Sequence, residues 1–294
     1  MRTALSLRAS VSSHLRAFMA LTKIRISVLS TLSAATGYVV FSRTVNAGIV
    51  TASLGVLLLA MGACAMNEVQ DREIDAQMNR TRGRPIPSGA MKPASAFAIA
   101  VILDVGGFLM LWLVHNLAAA LIGLFAVVWY NGVYTYLKRV WAFAVVPGAL
   151  IGAVPPAIGW TAAGGEPFDL HVLALAFFFF IWQVPHFWLL LFAFGKDYEK
   201  AGLPSLTSLF SRRQLANLTF IWMLTTFVSS LLLSVYGLTD SPWISMGLVV
   251  CGVWLAWEAS RLLRTQDRFF WPAFRCINLY ALCVMALLVA GALL

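Results

Sequence analysis

The sequence predicts an all-α, polytopic membrane protein with nine transmembrane helices. Three observations predict it. Mean hydropathy is +0.83 and only 11% of the residues are charged, where a soluble domain carries about 25%. The apolar residues gather in nine runs close to the roughly 20 residues that a helix needs to cross a bilayer. The basic residues are sorted between alternate connections, as membrane topology requires. That sorting also argues against a nucleic-acid partner, which the net charge of +9 would otherwise invite.

Taken in order, residues 1–25 hold Arg2, Arg8 and Arg16, several serines and no acid. They read as a cytoplasmic tail rather than an organelle-targeting segment, because no cleavage-like apolar region follows closely. Spans are expected at 26–42, 47–66, 94–113, 117–136, 141–160, 171–194, 216–236, 243–260 and 274–293. The whole of 26–294 then forms a single domain. Span 3 carries Asp104, which is costly in a membrane unless it is paired or hydrated. Span 5 is expected to be irregular, with Gly148, Gly152 and Gly159 beside Pro147, Pro155 and Pro156. Small residues let helices approach closely, and irregular backbone at membrane depth often borders a cavity. Span 6 carries Pro185, which frees a backbone carbonyl, and His186, an ionisable group inside the bilayer. The last three spans are generic apolar helices. Cys64, Cys251, Cys276 and Cys283 are scattered over spans with no CxxC pattern, so they read as buried thiols.

Of the 21 lysines and arginines, only Arg43 falls in a connection after an odd-numbered span. The positive-inside rule therefore puts the N-terminus in the cytoplasm and the C-terminus outside. Two cytoplasmic connections are long, 67–93 and 195–215, and both carry acids that topology does not demand.

The first of them holds the densest patch of charge. Asn67, Asp71 and Asp75 recur every fourth residue, which on a helix stacks three oxygen-bearing side chains on one face. Oxygen-only ligands suit a hard cation, and Mg²⁺ typically takes one or two carboxylates plus substrate phosphates. Arg80, Arg82 and Arg84 follow at once, so metal and bases together read as a diphosphate site. Asp197 opens the second connection three helical turns after His186 and can share its side; it reads either as a further metal ligand or as a surface acid. On span 4, Tyr134 and Lys138 are four apart with Arg139 next. These bases, and Lys23 and Arg25 ahead of span 1, suit either a diphosphate or lipid headgroups.

Asn67-xxx-Asp71-xxx-Asp75, followed by Met78-x-Arg80-Thr81-xx-Arg84-Pro85, resembles the first motif of the intramembrane prenyltransferases of the UbiA superfamily. Tyr134-Thr135-Tyr136-Leu137-Lys138-Arg139 is similar to that superfamily's motif on the fourth span. Gly152 to Trp160, Trp182-Gln183-Val184-Pro185-His186-Phe187 and Asp197-Tyr198-xx-Ala201-Gly202 look like the branch that farnesylates protoheme IX. The likeness runs from Leu21 to about Leu206 in five blocks. It departs from the family at Ile24, where proline is usual, and at Ser205, in place of methionine. Ala201, where the superfamily often has a second acid, is shared with the heme branch.

The resemblance implies a bundle around a central cavity, capped on the cytoplasmic side by the second and sixth connections. It implies farnesyl diphosphate and protoheme IX as substrates and Mg²⁺ as cofactor. Asn67, Asp71, Asp75 and Asp197 would hold the metal, the three aspartates being the catalytic acids. Lys23, Arg80, Arg84, Lys138 and Arg139 would bind the diphosphate, and Tyr134, Gln183 and His186 would line the heme and prenyl pocket. It implies the inner membrane of a bacterium rather than of a mitochondrion, and leaves room for transient contact with heme A synthase or an oxidase assembly. Two other readings compete. One is a prenyltransferase of the same superfamily acting on 4-hydroxybenzoate or a related aromatic acid. The other is a transporter or a heme-handling oxidase subunit, although nine spans do not divide into two similar halves.

Overall fold

The computed structural model describes residues 13–265 and 270–294. Among these, nine helices are long and apolar enough to cross a membrane. They are α1 (Ile24–Ser42), α2 (Ala47–Gln77), α3 (Pro93–Val114), α4 (Leu117–Leu137), α5 (Val145–Ala162), α6 (Leu170–Lys200), α7 (Arg212–Val235), α8 (Pro242–Arg264) and α9 (Phe270–Leu293). All regular structure among the described residues is helical. The expected tail lies partly outside them, at 1–12. Residues 13–21 are helical and end on Leu21, which is buried with Ala65, Ile86, Ala96 and Ala100.

The expected spans match seven helices within a few residues, but α2 and α6 run on much further, to 31 residues each. At 1.5 Å per residue each is about 46 Å long, against a hydrocarbon core of about 30 Å. The apolar pattern stops near residue 66 in α2, yet Glu68, Gln70, Arg72, Glu73 and Gln77 are good helix formers with no glycine or proline among them. The helix therefore continues as a polar rod. α6 runs unbroken through Pro185 and closes on Gly202 at φ +70°. There the Leu203 N–H donates to the Tyr198 carbonyl and the Gly202 N–H to that of Glu199, the two bonds of a Schellman cap. Both extensions emerge at the same end of the bundle and form the cap.

α4 and α5 are irregular. Trp129–Tyr134 of α4 is a π-helical turn, a device that often marks functional sites. α5 breaks into Val145–Gly148 and Leu150–Ala162. α1 packs against α5, and the approach is close because Gly159 has no side chain: a Cβ there would lie 1.8 Å from the Ala34 carbonyl oxygen. α9 packs on both α6 and α1 and so closes the bundle. Asp104 faces the seam between α3 and α2, its carboxylate against Gly62, with Oδ1 buried and unpartnered. Large apolar side chains such as Ile102, Leu113, Val235, Trp243 and Trp257 are exposed on the outside, the surface a lipid phase requires. All four cysteines are free thiols.

Candidate active site

The polar extension of α2 turns one face inward, and Asn67, Asp71 and Asp75 are all but fully buried on it. Asp71 is gripped from α4. Lys138 donates to its Oδ2 and Arg139 to its Oδ1 at 3.1 Å. Asn67 Nδ2 adds a bond to Asp71 Oδ2 at 2.8 Å and another to Thr135 Oγ1 at 3.0 Å. One helical turn further on, Asp75 pairs with Arg84 at 2.5 Å. Four cationic side chains thus converge on a face with two carboxylates, because Lys23 also arrives, donating from Nζ to Asn67 Oδ1 at 3.1 Å.

Lys23 reaches that place by an uncommon backbone. It sits at φ 46°, ψ 47°, the left-handed region, which costs a non-glycine residue about 1–3 kcal/mol. The bend separates the 13–21 helix from α1 and aims the lysine across at α2. Burial pushes the Lys23 ammonium below its ordinary range. Lys138 is lowered for the same reason, with the Asp71 carboxylate pulling the other way.

The loop after α2 is pinned back on the helix at two places. Thr81 Oγ1 donates to the Asp75 carbonyl at 2.9 Å. The Ile86 N–H donates to Glu68 Oε1 at 3.0 Å. Arg84 lies between these pins, so its direction is set by α2 itself. Glu68 is completely buried and its Oε2 has no partner among the described residues. The π turn of α4 is held likewise: Asn131 Nδ2 donates to the Ala63 carbonyl and to Gln70 Oε1, and Gln70 Nε2 donates to the Asn131 carbonyl.

Below the charged face lies an apolar cavity between α1, α2, α4, α5 and α6. Its water-accessible volume is about 150 Å³. Cys64 lies one turn below Asn67, Tyr134 one turn below Lys138, and Ser27 one turn beyond Lys23; all three line the cavity. Charged face and apolar chamber therefore share the same three helices. Lys138 Nζ stands 5.8 Å from the Tyr134 ring centre.

Not every expected site residue converges. Asp197 accepts from Asn79 Nδ2 and from the Arg80 N–H, each at 3.1 Å. It thereby ties the two extensions into one cap, without a hydrogen bond to Asp71 or Asp75. The Arg80 guanidinium lies over the Phe194 ring at 5.1 Å, on the exposed side. Tyr134 and Gln183 line the cavity; His186 does not. Its Nδ1 is 2.8 Å from Asn278 Oδ1, and its ring packs between Trp182 and Phe274. Sequence reasoning missed the pins, Glu68, Gln70 and Asn131. A polar Asn131 within an apolar run was the one visible signal.

The donor set at Asn67, Asp71 and Asp75 is oxygen-only. Among the described residues no three His, Cys, Asp or Glu side chains gather as a metal-holding group. Two carboxylates and an amide fit a hard cation that draws its other ligands from substrate phosphates.

A family model described as the UbiA prenyltransferase family matches residues 27–291. A protoheme IX farnesyltransferase of Geobacter sulfurreducens is 38% identical over 224 residues, 75% of this chain and 83% of that one. Another, of Oleidesulfovibrio alaskensis, is 31% identical over 279 residues, 95% of this chain and 97% of the relative. The apo structure of a UbiA homolog from Aeropyrum pernix superposes with a TM-score of 0.70 at 20% identity, covering 91% of this chain and 97% of that one. A UbiA homolog from Archaeoglobus fulgidus, bound to GPP and Mg²⁺, gives 0.66 at 13% identity over 92% and 99%. These two likenesses speak for the fold alone.

Proposed function

This chain belongs to the UbiA prenyltransferase family, and from that premise we propose that it transfers the farnesyl group of farnesyl diphosphate to a vinyl group of protoheme IX, giving heme O and diphosphate. The observation that carries the reading is the junction of a buried, base-lined carboxylate face with an apolar cavity. An allylic diphosphate has those two parts, an anionic head and an apolar tail. The heme substrate is taken from the relatives' shared activity.

Lys138, Arg139, Arg84 and Lys23 take up the charge that grows on the departing oxygens. While no ligand is present Lys138 and Arg139 share Asp71, Arg84 rests on Asp75 and Lys23 on the neutral Asn67 amide, so four bases face two carboxylates and the site favours an anion. When bound at Asn67, Asp71 and Asp75, Mg²⁺ would supply further neutralisation of the diphosphate as a Lewis acid. Lys138, Arg139 and Arg84 would then be able to face the substrate's oxygens. Asp197 and Arg80 close the cap over the head group. The cavity walls exclude bulk water from the allylic cation, and their low polarity strengthens every charge interaction at the mouth.

The charged end faces the cytoplasm in this reading, with the N-terminus inside and the C-terminus outside a bacterial inner membrane. The product has lost the anionic head and gained the apolar tail, so its handover to heme A synthase or an oxidase assembly would run within the bilayer. The test is incubation of purified protein with heme and labelled farnesyl diphosphate, with and without Mg²⁺, followed by mass analysis. A prenylated heme formed only with Mg²⁺ supports the reading. Prenylation of 4-hydroxybenzoate and not of heme would overturn it.

A further inference from the structure

We propose that Gln183 holds the water molecule that completes the transfer. This rests on the heme-farnesylating reading above and goes beyond it, because it assigns the step after carbon–carbon bond formation.

Gln183 lies on α6 and lines a cavity whose other walls are mostly apolar. Its carboxamide fits against α5 only because Gly152 has no side chain: a Cβ there would lie 1.7 Å from Gln183 Oε1. Among the described residues the amide has no hydrogen-bond partner. Gln183 is half-buried, so its amide, facing a mostly apolar chamber, is open to a water molecule there. The neighbouring turn of α5 tells how deep it lies. A Cβ on Gly148 would lie 2.4 Å from the Tyr134 ring, so Tyr134 and Gln183 meet α5 four residues apart, on either side of its break at Ala149. Lys138 Nζ is 5.8 Å from that ring on the side of the carboxylate face. Descending from the bases, the order is Lys138, Tyr134, Gln183. With the diphosphate on the bases, the allylic carbon and the vinyl group that it joins lie below it, within the chamber that Tyr134 and Gln183 line.

The chemistry at that depth needs water. The allylic C–O bond breaks with both electrons going to the diphosphate. The vinyl π pair then bonds to the farnesyl C1, leaving the vinyl carbon beside the porphyrin short of electrons. That carbon has two exits. A water oxygen can add to it, with one proton passing to the diphosphate, which leaves a hydroxyl on the product. Alternatively a proton leaves from the adjacent carbon and gives an alkene, one water lighter. An apolar chamber favours the second exit. A single water accepted by Gln183, its oxygen turned to the cation, favours the first.

The experiment measures the ratio of alkene to hydroxylated pigment, by mass, in isotopically labelled water with heme, farnesyl diphosphate and Mg²⁺. Being internal to each sample, the ratio does not depend on how much protein is active. The native chain gives the hydroxylated pigment carrying the label. Gln183→Leu, which keeps the bulk and removes the amide, raises the alkene ratio about ten-fold, the worth of one hydrogen bond. Gly152→Ala, which displaces the amide, does the same and decides the matter if Gln183→Leu does not fold. Gln183→Glu, which keeps an acceptor, returns the ratio toward the native one. A native ratio in Gln183→Leu or Gly152→Ala overturns the proposal while the transferase reading stands. No prenylated heme from the native chain overturns that reading instead.

Discussion

At Lys138 two demands meet in one side chain. Burial lowers its basicity while the Asp71 carboxylate props it up, and Lys23 is lowered by burial in the same way. A diphosphate on these ammonium groups favours their charged form, so binding takes up protons on the alkaline side. Affinity for inorganic diphosphate should therefore fall as pH rises through a range below the 10.5 of a free lysine. Lys138→Arg should move that fall upward, since a guanidinium stays charged. Titration calorimetry in buffers of different ionisation enthalpy reads the proton uptake. Stability runs the other way. A folded-state lysine pKa below the unfolded one makes the ligand-free protein gain stability as pH rises from the lowered value toward the unfolded one, which thermal melts would show. At this scale the sequence was legible where contacts are local. Asn67, Asp71 and Asp75 repeat at helical spacing, and Lys138 follows Tyr134 at the same interval. The Glu68–Ile86 pin and the Gln70–Asn131 clasp join distant segments, and no spacing announces them. His186 stood out as an ionisable group at membrane depth, and the structure sets it against Asn278 of α9.

Among the elements, α4 carries a specific risk. Its π turn, Trp129–Tyr134, adds one residue to the helix and so sets the direction of everything after it. A plain α-helix over the same residues would turn Lys138 and Arg139 about 100° away from Asp71, and Gly132→Ala, at an exposed position, favours that helix. The expected outcome is a folded protein with its helical circular dichroism intact and diphosphate affinity reduced about 100-fold or more. Retained affinity would mean that the π turn has no part in aiming those bases. The spans themselves were readable because the bilayer imposes their length and hydropathy. The polar ends of α2 and α6 were not, because apolar periodicity stops where the lipid stops while the backbone hydrogen bonding goes on. Pro147, Pro155 and Pro156 announced an irregular α5, and it is one. Nothing comparable in Trp129–Tyr134 announces a π turn.

For the whole molecule, the two long helices emerge at one end and carry the charge, while Arg43 and Asp240 pair at 3.5 Å at the other. If the charged end faces the cytoplasm, a cysteine placed at Ser88 is labelled by an impermeant thiol reagent only in inverted vesicles. One at Val45 is labelled only in intact cells stripped of their outer layers. The reverse pattern would invert the topology and put the substrate head group on the wrong side. The account depends most on the α2 face acting as the place where a divalent cation and the bases share a diphosphate. The most direct measurement is binding of farnesyl diphosphate across a Mg²⁺ titration, native chain against Asp71→Asn. Native affinity should rise about ten-fold or more with Mg²⁺, and Asp71→Asn should lose that rise while staying folded. An undiminished Mg²⁺ response in Asp71→Asn would contradict the account.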